Sequence, residues 1–432
     1  MMKRRTFLKS LAAAGLCAGN PLFLPSASGA PIDPYRGKFF ITITAEGGWD
    51  VTSFCDPKPD PTINHWGSSG SIQTINNSPI TYAPFAYNSS FFATHHENML
   101  VINGVDCQTN AHEAGTRHTW SGQIGHGFPT FSALAAATLG ANLPLAYLSN
   151  GGYKETAGIT KYTLMQDPTS LSKLVFPNRF LDYDPDGSWD APKQYHRTEA
   201  LSLIQQAKLD RMARLQGNAQ LSPKQTVSIN DLLDARVGAE QLAPLADTMP
   251  DELVDSLDAD GQWNPLIRQA QIALASYEAG LTVSADLILW GFDTHSNHDT
   301  EQANAIQMLQ RGINYLWEEA TRRGIDDKLV ILIGSDFGRT PLYNDGDGKD
   351  HWPINSSIIM SKGESWTNKV VGVTNDAHEA LAINSQTLAQ EDSGIILKPK
   401  HVQQAMRQLA GIENHALCQE FDLDAEAINF FG

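Results

Sequence analysis

The sequence predicts an α/β fold built on a mostly parallel β-sheet. Three predominantly apolar runs, Phe39–Thr44, Asp286–Trp290 and Leu329–Ile333, have the length of strands, and glycine follows each at or soon after its end. Such runs are typical of strands that are buried on both faces. Segments with helical periodicity separate the runs, and this alternation indicates parallel strands joined by right-handed crossovers.

Other segments extend this pattern along the chain. The periodicity predicts further strands at Met99–Val105, Leu145–Ser149 and Ser356–Met360. A helix is predicted from Asn264-Pro265 to Gly280, because asparagine and proline favour the start of a helix and glycine its end. Further helices are predicted at residues 130–138, at residues 306–320 with one apolar face, and at residues 401–409.

The N-terminal segment has the pattern of an export signal. Lys3-Arg4-Arg5-Thr6-Phe7-Leu8-Lys9 matches the twin-arginine motif, and the mildly apolar stretch Leu11–Leu24 and several small residues follow it. A membrane anchor is the alternative, but the apolar stretch is short for a bilayer span. We therefore expect the twin-arginine translocase to export the chain, residues 1–30 to be cleaved, and the mature protein to be periplasmic without a stable membrane span.

The remaining residues, 31–432, are predicted to form a single α/β domain. Between about residues 192 and 260 the pattern becomes polar and helical, and Arg197–Leu215 is a good candidate for an amphipathic helix. This region interrupts the alternation of strands and helices. It is therefore interpreted as a helical insertion.

Charge and cysteine content restrict the classes of function. The chain has a formal net charge of −17, and the predicted signal is basic, so the mature protein is more acidic still. An acidic surface argues against nucleic acid and anionic membranes as partners. Beyond the signal, Cys55, Cys107 and Cys418 match no CxxC pattern. A Cys55–Cys107 disulfide is one interpretation, and free buried thiols are the one we favour.

Carboxylates and imidazoles follow the ends of three predicted strands. In open α/β sheets, ligands bind just beyond the carboxyl ends of the strands, so we expect these side chains to share one metal site, or two sites with a bridging acid. His295 and His298 compete for the place beside Asp293. The predicted metal ligands are Asp50, Asp293, His295, His298, Asp336 and His351.

The type of ligand limits the metal but does not identify it. Carboxylates with imidazoles suit Zn²⁺, Mn²⁺ or iron, whereas carboxylates with few imidazoles suit Mg²⁺ or Ca²⁺. A divalent metal polarises an ester oxygen and lowers the pKa of a bound water toward ~7. Arg339 is predicted to bind a phosphate or sulfate group through its guanidinium, with a salt bridge to a neighbouring acid as the alternative. Asp336 has the alternative role of capping the turn after its strand.

Four sequence blocks, in this order, resemble the DUF1501 family. They begin with Gly47-Gly48-Trp49-Asp50, followed by Asp56-Pro57-Lys58-Pro59, and continue with Gly291-Phe292-Asp293-Thr294-His295, the more specific Ser335–Pro341, and Asp350-His351. DUF1501 proteins are exported proteins placed with the alkaline phosphatase and sulfatase superfamily. The resemblance implies an alkaline-phosphatase-like three-layer α/β/α sandwich. It also implies a metal-dependent hydrolase that acts on a small anionic phosphate or sulfate ester.

The resemblance also implies a nucleophile after the second strand, within Cys107–Trp120. Thr109 is one candidate there, and His112 stands where the family often has a histidine. Two positions depart from the superfamily pattern, because Phe337 and Asn297 stand where histidines are common. Phe337, together with the lack of a clear nucleophile, favours a second interpretation, a catalytically degenerate metal-binding protein that acts as a surface or assembly protein.

Overall fold

A computed structural model describes residues 33–165, 175–176, 178, 194–216, 222, 224–225, 241–250, 253, 256–258 and 260–432. The predicted export signal and much of the predicted insertion lie outside these residues. The described residues form an α/β structure around one large sheet, which confirms the predicted fold class.

The longer strands of the described residues lie at the predicted apolar runs, and several strands of two or three residues add to them. In chain order they are β1 (Phe39–Glu46), β2 (Gln73–Thr74), β3 (Thr81–Tyr82), β4 (Met99–Asp106), β5 (Tyr147–Ser149), β6 (Thr163–Leu164), β7 (Ser284–Trp290), β8 (Leu329–Ser335), β9 (Gly338–Arg339), β10 (His351–Trp352), β11 (Ile354–Met360), β12 (Lys369–Val371), β13 (Val373–Thr374) and β14 (Ala380–Leu381).

Along the chain, most of the helices occur between strands of the large sheet. In chain order they are α1 (Asn88–His95), α2 (His112–Ser121), α3 (Phe131–Leu139), α4 (Thr198–Gln216), α5 (Leu245–Thr248), α6 (Pro265–Glu278), α7 (His298–Arg322), α8 (Pro399–Leu409) and α9 (Ala416–Glu420). Single turns of 3₁₀ helix occur at Val51–Ser53, His65–Ser68, His96–Asn98 and Asp326–Lys328.

The large sheet has the strand order β12-β4-β11-β8-β1-β7-β5-β6. β1 lies between β8 and β7 and pairs with both in parallel. Within the described sheet, β11 is the strand that runs in the opposite direction, pairing antiparallel with β4 and β8. The prediction of a mostly parallel sheet is therefore confirmed. The order also places the carboxyl ends of β8, β1 and β7 side by side.

The sheet is covered by helices on both faces. Alternate residues of β1 point in opposite directions, so that Phe39 and Ile41 pack in one core cluster and Phe40 in another. The first cluster includes buried residues of α6 and α7, and the second includes residues of α3 and α8. Burial on both faces explains why the central strands are continuously apolar. This arrangement confirms the three-layer α/β/α sandwich.

Three further predictions concern parts of the chain away from the sheet. α4 lies where an amphipathic helix was predicted, although the insertion and domain boundaries stay a prediction. The described cysteines, Cys55, Cys107 and Cys418, are buried free thiols, as favoured from the sequence. Among the described residues, no helix is both long and apolar enough to cross a bilayer.

Candidate metal centre

The loop after β1 brings the neighbouring strand ends close together. Gly47 and Gly48 have φ angles of +119° and +92°, a backbone region that favours glycine. A Cβ atom on Gly47 would lie 2.4 Å from the backbone nitrogen of Asp293, which follows β7. The Gly47 N–H donates to Oδ1 of Asp336 at 3.2 Å, at the end of β8. Glycine at this position therefore lets three strand ends meet.

Three imidazoles converge on the carboxylate of Asp293. The Nε2 atoms of His295 and His351 each lie 3.1 Å from its Oδ1, and Nε2 of His112 lies 3.6 Å from its Oδ2. The two Nε2 atoms of His295 and His351 are only 2.9 Å apart. The side chains of Asp293 and His112 are 49% and 42% exposed, so this group of one carboxylate and three imidazoles, called the Asp293 cluster, is open to solvent.

The other nitrogen of each ring determines its tautomer. Each Nδ1 faces an oxygen that acts as an acceptor: the Asn110 carbonyl at 2.8 Å from His351, the Asp350 carboxylate at 2.7 Å from His295, and the Asp336 carboxylate at 2.5 Å from His112. A carbonyl or ionised carboxylate oxygen has no proton to donate, so Nδ1 must hold the hydrogen. In the neutral rings, Nε2 therefore presents a lone pair toward Asp293.

This donor set fits a divalent metal ion. In the neutral rings, two Nε2 atoms 2.9 Å apart beside a carboxylate oxygen repel each other, and a metal ion or a shared proton between them removes the repulsion. Metal-binding histidines characteristically donate their other N–H to a carboxylate or backbone carbonyl, as all three rings do here. One atom from each of His112, Asp293 and His351 lies within 4.8 Å of the others. Imidazole and carboxylate donors together suit Zn²⁺, Mn²⁺ or iron.

Asp336 lies behind His112, away from solvent. Its side chain has no exposure, and its Oδ1 accepts from the hydroxyl of Ser335 at 2.9 Å. The hydrogen bond between His112 and Asp336 raises the pKa of His112 above its ordinary value, although partial burial opposes the shift. In this geometry Asp336 orients His112, whose ring lies between Asp336 and Asp293.

Arg339 is fully buried and binds protein groups. Its Nε donates to the Gly48 carbonyl at 2.7 Å and its Nη1 to the Lys349 carbonyl at 2.9 Å, while Nη2 donates to the Gly47 carbonyl. Nη2 also donates to Oδ1 of Asp293 at 2.6 Å. Partial burial favours a higher pKa for Asp293, but the hydrogen bond from the Arg339 guanidinium and its positive charge outweigh burial and lower the pKa to about 2. This contact is the salt bridge that the sequence left as the alternative role for Arg339.

Asp50 and His298 form a second, separate cluster. The Asp50 Oδ2 atom lies 2.9 Å from Nε2 of His298 and 2.7 Å from the ammonium nitrogen of Lys349. His298 Nδ1 in turn lies 2.7 Å from the hydroxyl of Thr294. Burial alone raises the pKa of Asp50, but Lys349 and His298 hold it well below its usual value. Of the two competing histidines, His295 therefore contacts Asp293, whereas His298 contacts Asp50.

Thr109 lies just before α2, and its hydroxyl accepts a hydrogen bond from the Ala111 N–H at 3.2 Å. Its neighbour Asn110 provides the carbonyl that holds His351. No sequence pattern predicts that backbone contact. Lys349 is not among the predicted site residues, and its place beside Asp350 and His351 is the sequence signal that could have indicated a role for it.

The chain is structurally similar to solved enzymes at low sequence identity. The lipoteichoic acid synthase LtaP from Listeria monocytogenes has a TM-score of 0.36 and 9% identity, over 98% of this chain and 80% of that chain. An alkaline phosphatase from the Antarctic bacterium TAB5 has a TM-score of 0.36 and 9% identity, over 87% and 98% of the chains. A 2-O GAG sulfatase has a TM-score of 0.33 and 8% identity, over 91% and 73%.

Sequence comparison gives a more direct result. No curated protein matches the chain. The family model described as "Protein of unknown function (DUF1501)" matches residues 38–389, a range that includes both clusters and all the strand ends that hold them. The chain therefore belongs to the DUF1501 family.

Proposed function

We propose that this protein is a metal-dependent hydrolase of phosphate or sulfate esters. The observation that supports it most directly is the convergence of three histidine Nε2 atoms on Asp293. Asp293, His112, His295 and His351 would hold one divalent ion. A bound ion of this kind polarises an ester oxygen and lowers the pKa of a bound water.

The surrounding residues keep these ligands in place. Asp336, Asp350 and the Asn110 carbonyl each hold one imidazole through its Nδ1–H, which fixes the direction of the opposite nitrogen. Arg339 holds the Asp293 carboxylate from the buried side. Since Arg339 is committed to protein acceptors, we assign it the positioning of Asp293 rather than contact with substrate.

An acidic protein needs a local positive centre to bind an anionic ester. The chain has 48 acidic and 31 basic residues, so its overall field repels a small anion. A divalent ion beside the half-exposed Asp293 reverses that field locally. The solvent-facing side of the Asp293 cluster is thus the place where an anionic phosphate or sulfate group would bind.

The proposed location of this activity is the periplasm. The twin-arginine motif at residues 3–9 supports export through the twin-arginine translocase. That route exports folded proteins. A metal bound among residues from three separate loops, which requires a folded chain, is consistent with it.

A second candidate is a metal-binding protein without turnover that acts as a surface or assembly protein. The Phe337 ring packs against His112 and His351, with ring centroids 4.8 and 4.4 Å apart. Phe337 therefore places an apolar ring directly after Asp336, at a position where a centre with more metal ions would need a further ligand. The hydroxyl of Thr109, the candidate nucleophile, accepts a hydrogen bond from the backbone of its own loop.

The test combines metal analysis with an activity screen. Purified wild-type protein and the His351→Ala variant are analysed for bound metal and then assayed on chromogenic phosphate and sulfate esters. His126→Ala is the matched control, because His126 is exposed and its ring contacts Arg117 rather than Asp293. Metal and turnover that are both lost in His351→Ala support the hydrolase. Metal without turnover supports the second candidate, and a metal-free wild-type protein contradicts both.

A further inference from the structure

A lysine side chain lies at the centre of the second cluster. Lys349 has no solvent exposure, and its ammonium nitrogen lies 2.7 Å from Oδ2 of Asp50. The same nitrogen lies 2.9 Å from the side-chain oxygen of Asn64 and 3.4 Å from the hydroxyl of Thr52. Together with His298, these residues are called the Asp50 cluster.

The Asp50 cluster has the composition of a cation site. It supplies a carboxylate, an amide oxygen, a hydroxyl and an imidazole, and the first three of these surround the ammonium. Lysine is rarely buried unless its charge is paired, because removing an ammonium from water is costly. Oxygen donors of this kind are also those that Mg²⁺, Ca²⁺ and Mn²⁺ prefer. The ammonium therefore occupies a place that would suit a metal ion.

This cation position is coupled to the Asp293 cluster through the chain itself. Asp50 follows β1 and Asp293 follows β7, and these strands are neighbours in the sheet. The Lys349 N–H donates to the Thr294 carbonyl at 3.2 Å, and the Lys349 carbonyl accepts from Arg339, which also holds Asp293. Two cation positions therefore lie at one sheet edge, and the backbone of Lys349 links them.

We infer that the ammonium of Lys349 is a permanent cation in the second of these positions, so that the proposed metal centre holds a single ion. The count of one ion rests on the proposed function, whereas the role of Lys349 rests on the Asp50 cluster alone. Because the ammonium is covalently attached to the chain, it cannot dissociate into solution as a bound metal ion can. It also provides no open coordination position for a substrate oxygen. Its role is to neutralise Asp50 and to hold the loop that carries Asp350 and His351.

The test converts the lysine position into an open site. In Lys349→Ala the ammonium and its stem are removed, whereas Lys349→Met removes the charge but keeps a side chain of similar length. Binding of Mn²⁺ alone is measured by elemental analysis after equilibrium dialysis, for both variants and for wild type. We expect one Mn²⁺ per chain in wild type, two in Lys349→Ala and one in Lys349→Met. Adding Asp50→Asn to Lys349→Ala should return the count to one.

Two results would overturn the inference. One is two ions in wild type, and the other is the same count in wild type and Lys349→Ala. If Lys349→Ala folds poorly, its melting temperature is measured across a Mn²⁺ titration. We expect Mn²⁺ to restore the melting temperature of Lys349→Ala but not that of the double variant. If Mn²⁺ restores neither melting temperature, the inference is also overturned. No ion in wild type but one in Lys349→Ala would contradict the proposed function while supporting the role of Lys349.

Discussion

The Nδ1 atom of His112 lies 2.5 Å from Oδ2 of Asp336, a carboxylate with no solvent exposure. This contact joins the first residue of α2 to the residue that follows β8. A buried carboxylate in this position fixes the orientation of the imidazole and increases its basicity. The opposite nitrogen of His112 consequently faces Asp293, so Asp336 acts on the proposed metal through a histidine.

Replacing Asp336 by Asn should weaken metal binding without removing a direct ligand. The variant loses the charge that supports His112, and changes of this kind typically lower metal affinity about 10- to 100-fold. Competition with a fluorescent chelator measures the affinity. Asp327→Asn is a suitable control, because Asp327 is an exposed residue that pairs with Lys328. Equal affinities in the two variants would mean that Asp336 does not orient a ligand.

Replacing Gly47 by Ala should destabilise the protein and reduce its metal content. The new Cβ atom would lie 2.4 Å from the backbone nitrogen of Asp293, at a φ angle of +119°. Backbone strain of this type costs about 1–3 kcal/mol, and the clash adds to it. Gly127→Ala is the matched control, since Gly127 has a φ angle of +90° but nothing within 4 Å of the added Cβ. Urea denaturation measures the free energy of unfolding of both variants. The extra loss of stability in Gly47→Ala is the contribution of the clash, and equal losses in the two variants would argue against a clash.

Removing the metal should lower the melting temperature. An ion that binds only the folded state stabilises it by about 2.7 kcal/mol when its concentration is a hundred times the dissociation constant. Differential scanning calorimetry with and without chelator measures the change. His351→Ala should melt at the same temperature in both conditions, because its site is incomplete. A wild-type melting temperature that chelation leaves unchanged would contradict a metal bound at Asp293.

The pH dependence of stability should contain a contribution from Asp286. This buried residue of β7 accepts hydrogen bonds from Thr42 at 2.7 Å, from Ser132 at 2.5 Å and from Tyr147. Burial raises the pKa of Asp286 to about 6, although these hydrogen bonds oppose the shift. In the unfolded chain the pKa is ~3.9. Between these values the folded state binds the proton more tightly, so stability falls as pH rises from about 4 to 6.

Asp286→Asn should remove this dependence. A shift of about two pKa units corresponds to about 3 kcal/mol, so the free energy of unfolding of the variant, relative to wild type, should rise by that order between pH 4 and pH 7. Urea denaturation at pH 4, 5, 6 and 7 measures it. The comparison between pH values cancels any constant effect of the substitution. A difference that is the same at every pH would show that Asp286 is not protonated in the folded state.

Export should depend on the two arginines of the N-terminal motif. Replacing Arg4 and Arg5 by Lys keeps the charge, but the twin-arginine receptor discriminates between these cations. We expect the precursor to accumulate in the cytoplasm, as measured by fractionation and immunoblotting. Replacing Lys3 and Lys9 by Arg serves as a control for general changes in the signal. Unchanged periplasmic yield of the double-Lys variant would point to the general secretory route.

The local pattern of apolar and polar residues was sufficient to predict most of the architecture. The apolar runs at β1, β7 and β8 predicted buried strands, because burial on both faces requires apolar residues at consecutive positions. The direction of β11 could not be predicted in this way. Its apolar run resembles those of its parallel neighbours, and it runs antiparallel to β8 because the chain returns without a crossover helix between them.

The fold class, the ends of the long strands and the kinds of donor atom beyond them could all be predicted from the order of the amino acids. The division of the six predicted ligands became visible in the folded protein, where His295 and His351 contact Asp293, Asp336 lies behind His112, and His298 contacts Asp50. The physical reason is that strand periodicity is a local property, whereas these contacts depend on how loops from different strands fold over one another. Lys349 enters the Asp50 cluster for the same reason, because its loop folds back onto the ends of β1 and β7.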